Sequence, residues 1–296
     1  MEREQMAGHE DPSVPGRVTA PPTADAAQAL LASLDVVARS REARVDRRLL
    51  ARLHFVNGIA FAAYFGAVLS IFPAGPPAGP TTIGLIIPFL IWTQLLEEFR
   101  HSRGFQSRMT RAQTFAYAGA IAVFLAVVIA CMAITGSGGQ PPALLLAAPP
   151  LALLAAFWAM GFRELRRAGA PVPAPASSPW TPAARVTTMG IGVLLGALVF
   201  AAGSAQETPL VQWSVVYCGF AVLIAWMIAV RASSRMPAVG AVWRPVQWAA
   251  FAVACAVYCV VVIAEAYTTA ISPGIAAALG GAVVLLFVVV GALRDE

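Results

Sequence analysis

Six side chains near the ends of two apolar runs are of types that can move a proton or hold an ion: His54, Asn57, Gln94, Glu97, Glu98 and His101. Glu97 and His101 stand four positions apart, a spacing that puts both on one helix face, where they can share a proton or a metal ion. A hairpin of the two runs would bring His54 and Asn57 to the same end as the acidic pair. The same residues also have a plain structural reading. Glu97 and Glu98 with Arg100 and Arg103 can be ordinary interfacial charges, and Asn57 and Gln94 can bond across helices.

Other features are thinner. Pro149 and Pro150 are adjacent inside an apolar run, where two missing backbone donors mark a helix break. Broken membrane helices expose carbonyls that line substrate paths, although proline kinks also occur without that role. The four cysteines, Cys131, Cys218, Cys255 and Cys259, all lie in apolar runs and form no CxxC pair. Cys255 and Cys259 share a helix face, but no His or Met completes a ligand set at their depth. All four therefore read as small buried hydrophobes, and no metal or other cofactor is expected. Gly192 and Gly196 form a GxxxG match and Ala276 with Gly280 a second small pair, both of which permit close helix packing. No Walker lysine, GxSxG elbow, HExxH or paired-Asp phosphate motif is present. All 20 basic residues are Arg, so Schiff-base chemistry is excluded.

The elements that must position these residues follow from composition. Hydrophobic residues make up 59% of the chain and charged residues 12%, with a mean hydropathy of +0.74. A soluble fold could not hide that much apolar surface, whereas an uncharged run of about 18 or more residues crosses roughly 30 Å of hydrocarbon as a helix. The net charge of +5 comes from arginines flanking such runs, without a basic stripe of interleaved aromatics, which argues against nucleic acid as a partner.

Eight runs of this kind can be drawn, giving an all-α integral membrane protein. They are Phe55 to Phe72, Thr81 to Leu96, Thr114 to Thr135, Ala143 to Phe162, Val186 to Ala205, Val211 to Val230, Val246 to Ile271 and Gly274 to Leu293. With that count every arginine falls on one side, and the positive-inside rule puts both termini in the cytoplasm. Glu265, beside Tyr267, Thr268 and Thr269, then lies near the outer surface, which explains it more simply than a proton relay. Trp158, Trp213, Trp243 and Trp248 suit an interfacial belt.

Arg52, Arg100, Arg111 and Arg163 are spaced almost as Arg185, Arg231, Arg244 and Arg294 are, which suggests a parallel repeat of four spans plus four; ordinary helical-hairpin spacing is the competing explanation. Residues 1–26 read as a disordered cytoplasmic tail, and 27–53 as an amphipathic basic juxtamembrane helix. In the latter Arg39, Arg41, Arg44, Arg47, Arg48 and Arg52 would meet anionic headgroups of the bilayer. Residues 54–168 hold the first four-helix half, 169–185 a Pro/Ala-rich cytoplasmic linker, and 186–296 the second half. No cleavable signal peptide is evident, so the first span is expected to direct insertion.

These features fit a transport-type component of a bacterial cytoplasmic membrane that handles a small apolar or amphipathic molecule. The alternative is a non-catalytic partner, a regulatory or scaffold subunit of a larger complex that binds a membrane or cytoplasmic protein. A membrane enzyme using His54, Glu97 and His101 ranks third. Proton-driven or sodium-driven transport is disfavoured because ionisable groups at mid-membrane depth are lacking.

Overall fold

Inside lipid each backbone N–H and C=O must find its partner within the chain, so long apolar runs have the helix as their open solution. The computed structural model obeys this constraint, with no strand among the described residues. It describes residues 23, 28, 32, 33, 46–75, 79–103, 111–169, 179–205, 208–232, 238–268 and 270–293. The helices of the unit spanning residues 46–296 are α1 (Arg47–Ser70), α2 (Gly79–Ser102), α3 (Arg111–Gly136), α4 (Ala143–Arg166), α5 (Pro182–Gly203), α6 (Pro209–Ala232), the single turn α7 (Val239–Val242), α8 (Pro245–Tyr267) and α9 (Pro273–Ala292). A short 3-10 turn, Phe72–Ala74, follows α1.

Six of these are long and apolar enough to cross a membrane: α1 with its following turn, α4, α5, α6, α8 and α9. In α3 the stretch Ala122–Gly136 is apolar over a shorter length. α2, with 24 residues, interrupts its apolar sequence with Gly84, Pro88, Thr93 and Gln94.

Helix starts are written in local chemistry. Thr181 and Ser272 accept from backbone N–H groups of Ala184 and Ile275, and each is followed by a proline at the first helical position. Asp46 caps α1 by accepting from the N–H groups of Arg48 and Leu49, both at 3.0 Å. Residues 47–53, the end of the basic juxtamembrane segment, are thus the first turns of α1 itself. Replacing Asp46 with Ala removes the acceptor and is expected to cost about 1 kcal/mol. The readout is the thermal midpoint of the purified protein in detergent, where Asp46→Asn should keep most of the stability.

The two most extensive helix pairings are α1 with α4 and α5 with α9. In each, glycines let the partner approach. A methyl at Gly58 would stand 3.0 Å from Phe157 Cβ, and one at Gly161 would stand 2.8 Å from the Phe55 ring. A methyl at Gly192 would stand 2.2 Å from Phe287 Cβ, and one at Gly291 would stand 3.1 Å from Met189. Gly196 and Gly280 meet backbone to backbone, so the GxxxG match on α5 and the small pair on α9 are partners of each other.

α5 lies at the centre of the main core, where Ile191, Leu195, Leu198 and Val199 are buried with Phe251, Val283 and Phe287. α2 packs on α6 and α7. α3 is peripheral, held by Cys131 against Leu69 and Phe72 and by Phe124 against Phe65 at 4.1 Å. Leu144, Ile129, Val186, Leu210 and Leu285 are exposed, an apolar outer surface suited to lipid.

Three expectations are corrected. α4 runs unbroken through Pro149 and Pro150, because both fall in its second turn and the carbonyls they orphan belong to Leu145 and Leu146, at the helix start. Trp243 is buried, its indole N–H donating to Thr188 Oγ1 at 2.9 Å, so it is no part of an exposed belt. Trp158 and Trp213 are exposed, whereas Trp248 packs against Trp92, Phe99 and Trp243. Among the cysteines Cys218 is exposed; all four are free thiols.

Candidate functional site

The structure divides the polar residues that sequence grouped together. On α1, His54 leans on Phe157, with ring centroids 6.3 Å apart, and its Nδ1 is buried without a hydrogen-bond partner. Asn57, one turn on, is 5% exposed, and its Oδ1 is likewise unpaired. Arg47 Nη1 donates to Glu164 Oε2 at 2.8 Å, fastening the start of α1 to the end of α4. Sequence reading passed over Glu164, which lies in an arginine-rich helix end that reads as solvated, although its carboxylate is largely buried. Of the six headgroup arginines, Arg48 and Arg52 are exposed on α1; Arg39, Arg41 and Arg44 lie outside the described residues.

On α2 the two adjacent glutamates part company. Glu97 points outward, with Arg231 of α6 at 3.7 Å. Glu98 points inward: its Oε2 accepts from the Gly240 N–H at 2.7 Å and its Oε1 from Gln94 Nε2 at 3.1 Å. This buried carboxylate clips α7 onto α2. His101 is exposed, and among the described residues no three His, Cys, Asp or Glu side chains gather as a metal site. The Glu97–His101 pair therefore gains no third ligand, and His54 sits on a different helix pair. Glu265 is half-buried near the end of α8, and Thr269 lies outside the described residues.

What the structure does bring together is a mid-helix turn of α2, continuous through Pro88 but short of one backbone hydrogen bond, that sequence reading missed. Pro88 has no N–H to offer the Gly84 carbonyl, so one rung of the helix is absent in the middle of an apolar run. Two tyrosines grip the turn. The Tyr64 hydroxyl, from α1, donates to the Leu85 carbonyl. The Tyr258 hydroxyl, from α8, lies so close to Gly84 that a methyl there would stand 2.6 Å away. Glycine at 84 is what admits the phenol.

Aromatic rings fill the surroundings. Phe89 packs against Phe61, Tyr64 and Phe65 at centroid distances of 5.6, 5.4 and 5.9 Å. Trp92 meets Trp248 edge-on at 5.4 Å and stacks on Phe251 at 6.0 Å. Cys255 and Cys259 complete the α8 side as free thiols on one helix face. On the other side of α2, Thr81 accepts from Gln212 Nε2 of α6 at 3.2 Å.

Position 188, against the α9 partner, is Thr bonded to Trp243; Gln247 Nε2 donates to the Val290 carbonyl at 3.5 Å, and Trp180 Nε1 to the Gly291 carbonyl at 3.4 Å. Buried atoms without a partner stand on both α1, at His54 Nδ1 and Asn57 Oδ1, and α5 with its C-cap, at Arg185 Nε and Ser204 Oγ.

Several helices apolar and long enough to cross lipid define a multi-pass membrane protein. Comparisons with protein-family models, with curated proteins and with solved structures give no match.

Proposed function

We propose that this chain is a transport-type membrane component, built of eight spans in two parallel halves, which handles a small apolar or amphipathic molecule in a bacterial cytoplasmic membrane. The observation that carries the reading is the α2 turn that lacks a backbone hydrogen bond at Pro88, with Tyr64 from one half bonded to Leu85 and Tyr258 from the other packed on Gly84. A turn missing a backbone rung, placed between two bodies, exposes a carbonyl in lipid only where something else partners it.

The duplication draws support from the tight helix pairs. One shift carries Gly58 onto Gly192 and Ser70 onto Ser204; another carries Phe157 onto Phe287, Gly161 onto Gly291 and the buried Pro150 onto the buried Gly280. The glycine-on-phenylalanine contact thus recurs at equivalent places in α1–α4 and α5–α9. Counting α2 and α3 as spans keeps every arginine on one side, which gives both ends a cytoplasmic location.

The test uses proteoliposomes carrying a short-chain NBD-labelled amphiphile, whose outward movement dithionite quenching follows. Pro88→Ala restores the missing rung and is expected to slow transbilayer movement at least roughly tenfold, about 1.4 kcal/mol of barrier. Val186→Ala, on the lipid-facing surface, should leave the rate alone. Wild-type movement no faster than in protein-free vesicles, or a Pro88→Ala rate equal to wild type, overturns the reading. A scaffold or regulatory subunit, favoured by the exposed Arg48 and Arg52, gives the first of these results together with vesicle binding that is lost in an Arg48→Ala, Arg52→Ala double variant.

A further inference from the structure

α1 and α4 run antiparallel, with Gly58 against Phe157, Phe55 against Gly161, and Arg47 bonded to Glu164 near the arginine-bearing ends. One flank of this pair faces α2, where Phe61 meets Phe89. On the opposite flank Arg48, Arg52, Phe55 and Ile59 fall on one stripe of α1, and Trp158, Phe162 and Arg166 on one stripe of α4. The Phe55 ring joins the two stripes, meeting Trp158 and Phe162 edge-on at centroid distances of 5.9 and 5.0 Å. Arg48, Arg52, Ile59, Trp158, Phe162 and Arg166 are all exposed. In the register set by the glycine contacts, Arg166 stands across the seam from the turn of α1 that carries Arg48 and Arg52.

Three guanidiniums thus share one surface, and their charge is unanswered. Glu164 is taken by Arg47 at 2.8 Å, and Asp46 accepts from backbone N–H groups at the start of α1. Among the described residues no carboxylate lies within ion-pair distance of Arg48, Arg52 or Arg166. Like charges held together without a counter-charge repel, so the arrangement calls for an anion from outside the chain, and guanidinium forks match phosphate. The three rings say what kind of anion. They lie one to two turns deeper, along helices long enough to cross a membrane. A cationic rim above an exposed apolar floor suits a molecule whose phosphate sits at the helix ends and whose chains lie in hydrocarbon. A free phosphate has no use for the rings, and an acidic protein would have to enter lipid to reach them.

We propose that this flank of α1 and α4 is a seat for one anionic phospholipid, its phosphate held by Arg48, Arg52 and Arg166 and an acyl chain laid over Phe55, Trp158 and Phe162. The seat lies on the opposite side of α1 from Tyr64 and the Pro88 turn, and it does not depend on the transport reading.

The test titrates the full chain in a neutral detergent with dioleoyl phosphatidylglycerol or dioleoyl phosphatidylcholine and counts bound lipids by native mass spectrometry. Wild type should take up one phosphatidylglycerol saturably, at least about tenfold more tightly than phosphatidylcholine. Arg52→Gln combined with Arg166→Gln, one from each helix, should reduce that preference to about twofold or less. Arg231→Gln combined with Arg244→Gln removes the same charge from exposed positions elsewhere and should leave the preference unchanged. Trp158→Ala should weaken both lipids by a similar factor, because it takes away floor and leaves the rim. All these side chains are exposed, so thermal midpoints should stay close to wild type. Uptake of several phosphatidylglycerols without saturation, or a preference lost equally in both double variants, overturns the proposal in favour of diffuse attraction. Equal affinity for the two lipids overturns it as well, and is the result expected if the arginines serve an acidic protein. Displacement of the lipid by chain-free glycerophosphoglycerol at the same concentration would reveal a simple anion seat and overturn the lipid assignment.

Discussion

Gly240→Ala should unfasten α7 and lower stability by at least the roughly 1–3 kcal/mol typical of overpacked sites. A Cβ at position 240 would stand 2.0 Å from the Leu95 carbonyl oxygen, 2.7 Å from its carbon and 2.9 Å from the Leu95 Cα. All three are backbone atoms in mid-helix, so no side-chain rotation can yield. α7 must withdraw, and the Gly240 N–H to Glu98 bond goes with it, leaving a buried carboxylate short of a donor. Glu98→Ala removes the other side of the clip and should cost about 1–3 kcal/mol, while Glu98→Gln keeps an acceptor and should cost less. Combined, Gly240→Ala and Glu98→Ala should be less damaging than the two costs added, because either change alone opens the same clip. The measurement is the temperature at which the protein in detergent loses its monodisperse peak. A Gly240→Ala midpoint equal to wild type would show that α7 does not bear on α2 as described.

The clip matters because of what α2 carries. Glu98 ties one end of α2 to α7, and Thr81 ties the other end to Gln212 of α6. Between these anchors sits the turn that lacks a backbone hydrogen bond at Pro88. A helix missing a rung is a natural place to bend, and here both ends are held, by α7 and α6, while the middle is gripped by Tyr64 of α1.

How far these features can be read from sequence depends on whether the signal is local. The apolar runs and their flanking arginines are local, and six runs reappear as helices of membrane-crossing length. The inward turn of Glu98 was readable in principle: the apolar Ile87, Ile91 and Leu95 lead along one helical stripe to Glu98, whereas Glu97 lies off it. The partner was not readable, since the Gly240 N–H comes from a connection far along the chain. Trp243 misled for the same reason. An aromatic beside an arginine at a helix start resembles an interfacial anchor, and only the fold shows Thr188 waiting for its N–H. The prolines were weighed by number rather than by place. A doublet in the second turn of α4 leaves orphan carbonyls at the helix start, while the single Pro88 removes a rung deep in α2, opposite a glycine that lets Tyr258 in.

Small residues give the clearest case of a signal legible in kind but not in partner. Gly192, Gly196, Ala276 and Gly280 advertise close packing, and the fold shows that they pack on one another. A Cβ at Gly196 would stand 2.6 Å from the Gly280 carbonyl oxygen, and one at Gly280 would stand 2.5 Å from the Gly196 carbonyl oxygen. Substituting Gly280 with Leu must therefore push α9 off α5, the helix at the centre of the core, and unseat Phe287 from Gly192 one step further along. Without a hydrophobic drive between helices in lipid, such van der Waals fit is much of what holds the pair, so the loss should exceed about 3 kcal/mol and Gly196→Leu should match it. Gly281, next in sequence, has nothing within 4 Å of an added Cβ, and Gly281→Ala should cost nothing. The contrast between two neighbouring glycines, read as detergent thermal midpoints, isolates packing from helix propensity. Equal midpoints for Gly280→Leu and Gly281→Ala would mean that α5 and α9 do not meet through this face.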